Sequence, residues 1–232
     1  ETWDEMIALA DQIVAEGMNP FCFGMYSNGA SGWLATDWME DIMLRTGNGT
    51  DSYDKWVTNE LAMTDPIVKN AATLLSQIMH TEGYVVGGTD AIVSTSFGNA
   101  QDPMFSKDAN GNPGCFMHRQ ASFITAFWPE GENAFAGSKT TVFPFPVIDA
   151  SLPKAALGAG DMWGAFNDRD ATKAVAEYML SVGFFDAIAA SPDNSRLSAH
   201  ASYPSANYSS DLYKEFGAIV ADALAANAFR FD

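Results

Sequence analysis

Helical and strand-like patterns alternate along this chain, and its strand-like pieces are unbroken apolar runs rather than polar–apolar alternations. Such runs belong to strands covered on both faces, so the pattern predicts an α/β fold with a mixed sheet flanked by helices. Thr2-Trp3-Asp4-Glu5 reads as a capping box, after which Met6, Leu9, Ala10 and Ile13 share a helical face and Gly17 supplies a stop. Residues 33–45 repeat the pattern with Leu34, Trp38 and Ile42 spaced by four. Asp65-Pro66 opens a third helix with Ile67, Ala71, Leu74, Leu75 and Ile78 inward. Asp170 begins a fourth with Ala174, Val175, Tyr178, Met179 and Val182 toward the core, and a last helix covers about 210–227. Strands are expected at 20–25, from Cys115, at 141–148 and at 155–166. Pro144 and Pro146 make the third an edge, and Gly158 and Gly160 lie within the fourth. No tandem repeat interrupts this order, and residues 1–232 read as a single domain.

Twelve Lys plus Arg against twenty-nine Asp plus Glu give a formal net charge of −17. A surface so poor in bases argues against a nucleic-acid partner and against an anionic membrane surface. No run of about twenty apolar residues is present, so no membrane-spanning helix is expected. The chain starts at Glu1, directly before a helix signal, and stops at Asp232 without a polar tail. Both ends read as cuts in a longer protein. Cys22 and Cys115 each sit in a short apolar run. Two buried thiols and one disulfide both fit, the second implying an oxidising compartment. No CxxC or paired-His spacing suggests zinc.

Within that acidic chain, Met117-His118-Arg119-Gln120-Ala121-Ser122-Phe123 stands out. A buried strand has no structural use for His, Arg and Gln in succession, because each loses hydration and needs a partner. At a strand's exit into a cleft the same groups can meet a polar ligand. Two other segments also end strands with polar or aromatic groups on small-residue backbone: 26–33, with Tyr26, Ser27, Asn28 and Trp33, and 158–163, with Asp161 and Trp163. Ligands of α/β folds bind where loops leave the carboxyl ends of strands. Hydroxyl partners beside aromatic plates suit a sugar, so these residues, with His118, Arg119 and Gln120, form the candidate ligand set. Trp38 and Trp56 are assigned to the core, and Arg119 could equally pair with Asp161 or another carboxylate. Nucleophile-elbow, P-loop, HExxH and dinucleotide motifs are absent. A glycosidase would need two positioned carboxylates, and none is singled out, so a non-enzyme is expected, with a hydrolase fragment or a structural or adhesive module as alternatives.

These residues carry a family resemblance over essentially the whole chain. Residues 2–23 and Thr172-Lys173-Ala174-Val175-Ala176-Glu177-Tyr178-Met179-Leu180-Ser181 resemble solute-binding proteins of carbohydrate ABC transporters. Residues 33–42, Tyr53-Asp54-Lys55-Trp56-Val57, 117–123 and Phe229-Arg230-Phe231-Asp232 resemble the alpha-glucoside-binding type. The resemblance implies one lobe, the C-terminal one, of a two-lobed type II periplasmic binding fold. It implies a non-catalytic, hinge-closing receptor that captures a small-molecule sugar outside the cytoplasm and delivers it to a membrane permease. No cofactor is expected, and the isolated chain is expected to be monomeric. It places Ser27 to Ser31, Arg119 to Ala121 and Gly160 to Asp161 at the cleft. Where maltose-binding relatives carry a stacking Trp after the corresponding strand, this chain has His118-Arg119-Gln120-Ala121.

Overall fold

A computed structural model describes residues 1–130, 132, 140–191, 194–200 and 203–232. Its helices in chain order are α1 (Trp3–Ala15), α2 (Trp33–Met43), α3 (Thr50–Val57), α4 (Pro66–His80), α5 (Thr89–Ser94), α6 (Asp102–Phe105), α7 (Asp170–Met179), α8 (Val182–Ala189) and α9 (Asp211–Ala225). Short 3-10 segments occupy Asn28–Ala30, Ser122–Phe127 and Ser205–Asn207. The capping box forms: the Thr2 N–H donates to Glu5 Oε2 at 2.7 Å, and the Glu5 N–H donates to Thr2 Oγ1 at 3.2 Å. Asp65 caps α4 by accepting from the Ile67 N–H, with Pro66 in its first turn. Ser210 caps α9 through the Tyr213 N–H.

The strand elements are shorter than the apolar runs suggest. β1 (Ala156–Gly158) pairs in parallel with β2 (Phe229–Phe231). Residues 20–26 form isolated parallel bridges: Phe21 with both Val85 and Met117, and Tyr26 with Ser96. Val147 bridges Thr2 in parallel, and Lys107 with Pro113 closes a local antiparallel turn. The pairings that knit the core are thus parallel, which corrects the expected mixed sheet. The 141–148 run, with two prolines lacking N–H donors, keeps a single bridge, and the 155–166 run pairs over three residues. Cys22 and Cys115, on adjacent extended segments, are joined in a disulfide with Cα atoms 5.5 Å apart.

The main core gathers Met6, Ala10, Phe21, Phe23, Leu34, Trp38, Ile42, Val68, Leu75, Ile78 and Ile92, so α1, α2 and α4 bury the faces their periodicity marks. Leu9, expected on the inner face of α1, is instead 48% exposed. A second cluster, Phe185, Ala189, Tyr208, Leu212 and Tyr213, lies beneath α8 and α9. The Tyr213 hydroxyl donates to the Ser122 carbonyl at 2.8 Å and ties α9 to the 122–127 turn. α7 departs from expectation: it has no buried residue, and Val175, Tyr178 and, beyond its end, Leu180 are 56–76% exposed. Its apolar stripe is real, but among the described residues it meets α8 only in part, through the edge-on contact of Tyr178 with Phe184 at 5.6 Å, and stays mostly exposed.

Candidate functional site

The parallel bridges set the direction in which the flanking segments leave the core. With residues 20–26 running alongside 84–86 and 115–117 in one direction, the segments that follow leave the sheet at a common end. There the Trp33 ring meets Phe97 at 5.4 Å and Phe123 at 6.0 Å, and Phe127 lies 5.3 Å from Phe97. Most of these contacts are edge-on, the arrangement aromatic quadrupoles favour. Ser122 Oγ donates to the Ser195 carbonyl at 3.4 Å, and Arg196 Nε lies 3.4 Å from Asp161 Oδ2. A chain of contacts therefore links the 26–33 loop, the 118–123 segment and the end of β1, the three segments singled out in the sequence. None of the candidate residues lines the cavity of about 260 Å³ between Arg45 and residues 143–155.

The individual side chains fare differently. Tyr26 is 44% exposed, and its hydroxyl donates to Asn28 Oδ1 at 2.9 Å. Asn28 takes φ +50° and Gly32 φ +102°, left-handed backbone that turns the loop tightly into α2. The Ser27 N–H donates to Ser31 Oγ, so this loop is held by its own groups. Trp33 is part of the aromatic cluster rather than a free plate. Trp163 is 78% exposed and Asp161 is solvent-facing beside Arg196, not Arg119. The close approach that Gly158 and Gly160 permit is taken by this chain's own rings: a Cβ at Gly158 would run into Phe229, and one at Gly160 would come within 3.1 Å of Phe231.

Arg119 has the most consequential position. Its Nε and Nη2 donate to Asp41 Oδ2 at 2.8 and 2.6 Å, and its Nη1 donates to Asp37 Oδ2 at 2.7 Å. Asp41 Oδ1 in turn accepts from Arg45, whose other arm reaches the Ala155 carbonyl at 2.6 Å, with the guanidinium 4.8 Å over the Phe145 ring. This buried chain fastens α2 to the strand exit on one side and to the approach to β1 on the other. Burial opposes the Arg119 charge, and Asp41 and Asp37 outweigh it, raising its pKa. Asp37 is pushed up by burial in spite of Arg119. Beside Arg119, His118 Nε2 and Gln120 Nε2 are covered by protein and have no hydrogen-bond partner among the described residues. The sequence reading missed Asp37, Glu40, Asp41 and Arg45. Two acids one turn apart on the otherwise apolar face of Leu34, Trp38 and Ile42 were the available signal.

Two curated proteins are similar to this chain. The osmoprotective compounds-binding protein GgtB of Synechocystis sp. is 36% identical over 180 residues, covering 78% of this chain and 41% of that protein. The alpha-glucosides-binding periplasmic protein AglE of Rhizobium meliloti is 38% identical over 181 residues, covering 77% of this chain and 38% of that protein. By this similarity the chain belongs to the solute-binding proteins, and it spans about two fifths of the length of these relatives. No family model matches the chain, and no solved structure gives a significant match. Among the described residues no helix is long and apolar enough to cross a membrane.

Proposed function

We propose that this chain is part of the ligand-capturing component of an ABC-type importer for a sugar or sugar-like osmolyte, with an alpha-glucoside as the favoured ligand. The observation that carries this reading is the similarity to two binding proteins, one for osmoprotective compounds and one for alpha-glucosides, each across about three quarters of the chain. In this reading the chain forms one wall of a cleft, as the C-terminal lobe, and works outside the cytoplasm with a membrane permease. Tyr26, Ser27, Asn28 and the 118–122 exit supply hydroxyl partners, Asp161 accepts, and Trp163 offers a flat face. Arg119 acts from behind, by fixing the exit. Ligand stabilises closure because the closed form alone touches it from both walls, with no covalent step.

The test is a melting-temperature screen of the full-length protein against maltose, sucrose, methyl alpha-glucoside and glycine betaine. A shift of several degrees with one of the glucosides at a hundredfold excess over its Kd is expected. No shift with any glucoside, or turnover of a nitrophenyl glucoside abolished by one Asp or Glu substitution, overturns the reading. The isolated chain should bind weakly, so calorimetry giving micromolar maltose or sucrose affinity for residues 1–232 would contradict the one-wall geometry.

A further inference from the structure

The buried face of α2 carries an imbalance that the ligand reading does not use. Asp37, Glu40 and Asp41 are 8%, 6% and 6% exposed, against the guanidiniums of Arg45 and Arg119. Arg119 is engaged by Asp37 and Asp41, and Arg45 by Asp41 and Ala155, which leaves Glu40 without an ion-pair partner among the described residues. Its hydrogen bond comes from the Tyr53 hydroxyl of α3, at 3.2 Å to Oε2. The charged and titratable groups acting on it are Asp232 beyond β2, Tyr53, Asp37 on its own helix, and Arg119. On the other flank of Arg119 stands His118, with its Nε2 covered, without a hydrogen-bond partner among the described residues, and with the Arg119 charge beside it. A carboxyl without a cation favours its neutral form, and an imidazole covered beside a guanidinium does too.

We propose that Glu40 and His118 form a compensating proton pair around the Arg119 ion cluster: in the folded chain Glu40 keeps its proton and His118 lacks one. Folding then moves a proton from the histidine to the glutamate instead of changing the number bound. The signs follow from linkage. Burial first, and then Asp232, lift Glu40 from 4.5 to about 7. Stability from this group is full below 4.5 and is lost as pH rises toward 7. Burial first, and then Arg119, push His118 from 6.5 down to about 4. Stability from this group is full above 6.5 and is lost as pH falls toward 4. Between about pH 4.5 and 6.5 the two slopes oppose, so the strand exit holds one charge state where a lone histidine or a lone glutamate would titrate.

The experiment compares thermal unfolding of the chain, Glu40→Gln and His118→Phe from pH 5 to 7.5. The melting temperature of Glu40→Gln relative to the parent should climb by about 3 °C per pH unit as pH rises toward 7. That of His118→Phe relative to the parent should climb by a similar amount as pH falls from 6.5 to 5. Difference curves that are flat for either variant, or that run in the same direction for both, overturn the proposal. Because either variant could fail to fold, NMR titration of the folded parent gives a second readout. The pair requires the Glu40 carboxyl to titrate near neutrality and the His118 ring to stay neutral at pH 5.5. Ordinary titration of Glu40 near 4.5, or of His118 near 6.5, overturns it.

Discussion

Side chains that look alike in the sequence carry unequal weight in this molecule. Arg119 and Arg230 each meet aspartate with short hydrogen bonds, at 2.6–2.8 Å. Yet the Arg119 side chain is 14% exposed with partners at 12% and 9%, whereas Asp54, the partner of Arg230, is 50% exposed. Removing one partner of a buried pair strands the other charge in low dielectric, while an exposed pair exchanges its partner for water. Asp41→Asn should therefore cost about 3 kcal/mol or more in urea denaturation. Asp54→Asn should cost about 1 kcal/mol or less by the same measurement. Equal losses would mean that the α2 cluster is as wet as the surface. The cluster was also the least legible part of the site: Arg119 reaches partners 78 and 82 residues earlier in the chain, and no local pattern encodes such a meeting. That His118, Arg119 and Gln120 needed partners was legible. That the arginine would find its own on α2 was not.

At the scale of elements, the helices that could be read were those whose local signals agreed. α1 has its capping box, α4 has Asp65-Pro66 ahead of a long apolar stripe, and α2 repeats apolar residues every fourth position. α3, α5 and α8 escaped notice because six to eight residues hold too few turns for a period to emerge. Strands suffered the opposite error. An apolar run shows that a segment is covered, not that its backbone pairs along its length, and 20–26 makes bridges where a ladder was expected. The disulfide holds two of those bridging segments together across a separation of 93 residues. In the chain-entropy view, closing so long a loop stabilises by about 4–5 kcal/mol. Cys22→Ala with Cys115→Ala should lower stability by roughly that amount in denaturant titration. Thiol counting on the unreduced, unfolded parent should find none; two free groups would refute the bridge. Thr2→Ala, which removes the cap of α1, should cost about 1 kcal/mol.

At the scale of the whole molecule, what the sequence could not convey is which apolar stripes have something to rest on. Periodicity locates the greasy side of α7 but is silent about its cover. The structure leaves Val175, Tyr178 and Leu180 outside, in the same part of the chain as Met162 at 90%, Trp163 at 78% and Phe166 at 99% exposure. Contiguous exposed hydrophobics mark surfaces that meet something else. In residues 1–232 alone, Val175→Lys should shift stability by no more than about 0.5 kcal/mol, while Tyr178→Lys, which gives up the edge-on ring contact with Phe184, should cost about 1 kcal/mol. A loss of 2 kcal/mol or more in denaturant titration would show that α7 is packed after all.

Tryptophan gives that bare surface an optical signature. Trp3 and Trp38 are 4% and 5% exposed, Trp33, Trp56 and Trp128 are partly shielded, and Trp163 alone stands in solvent. Its indole should emit at the red end of the protein's fluorescence and be the first quenched by a dissolved collider such as acrylamide. Whatever settles over that stretch of chain would move the emission to shorter wavelength, so one native residue reports occupancy without a dye or a label.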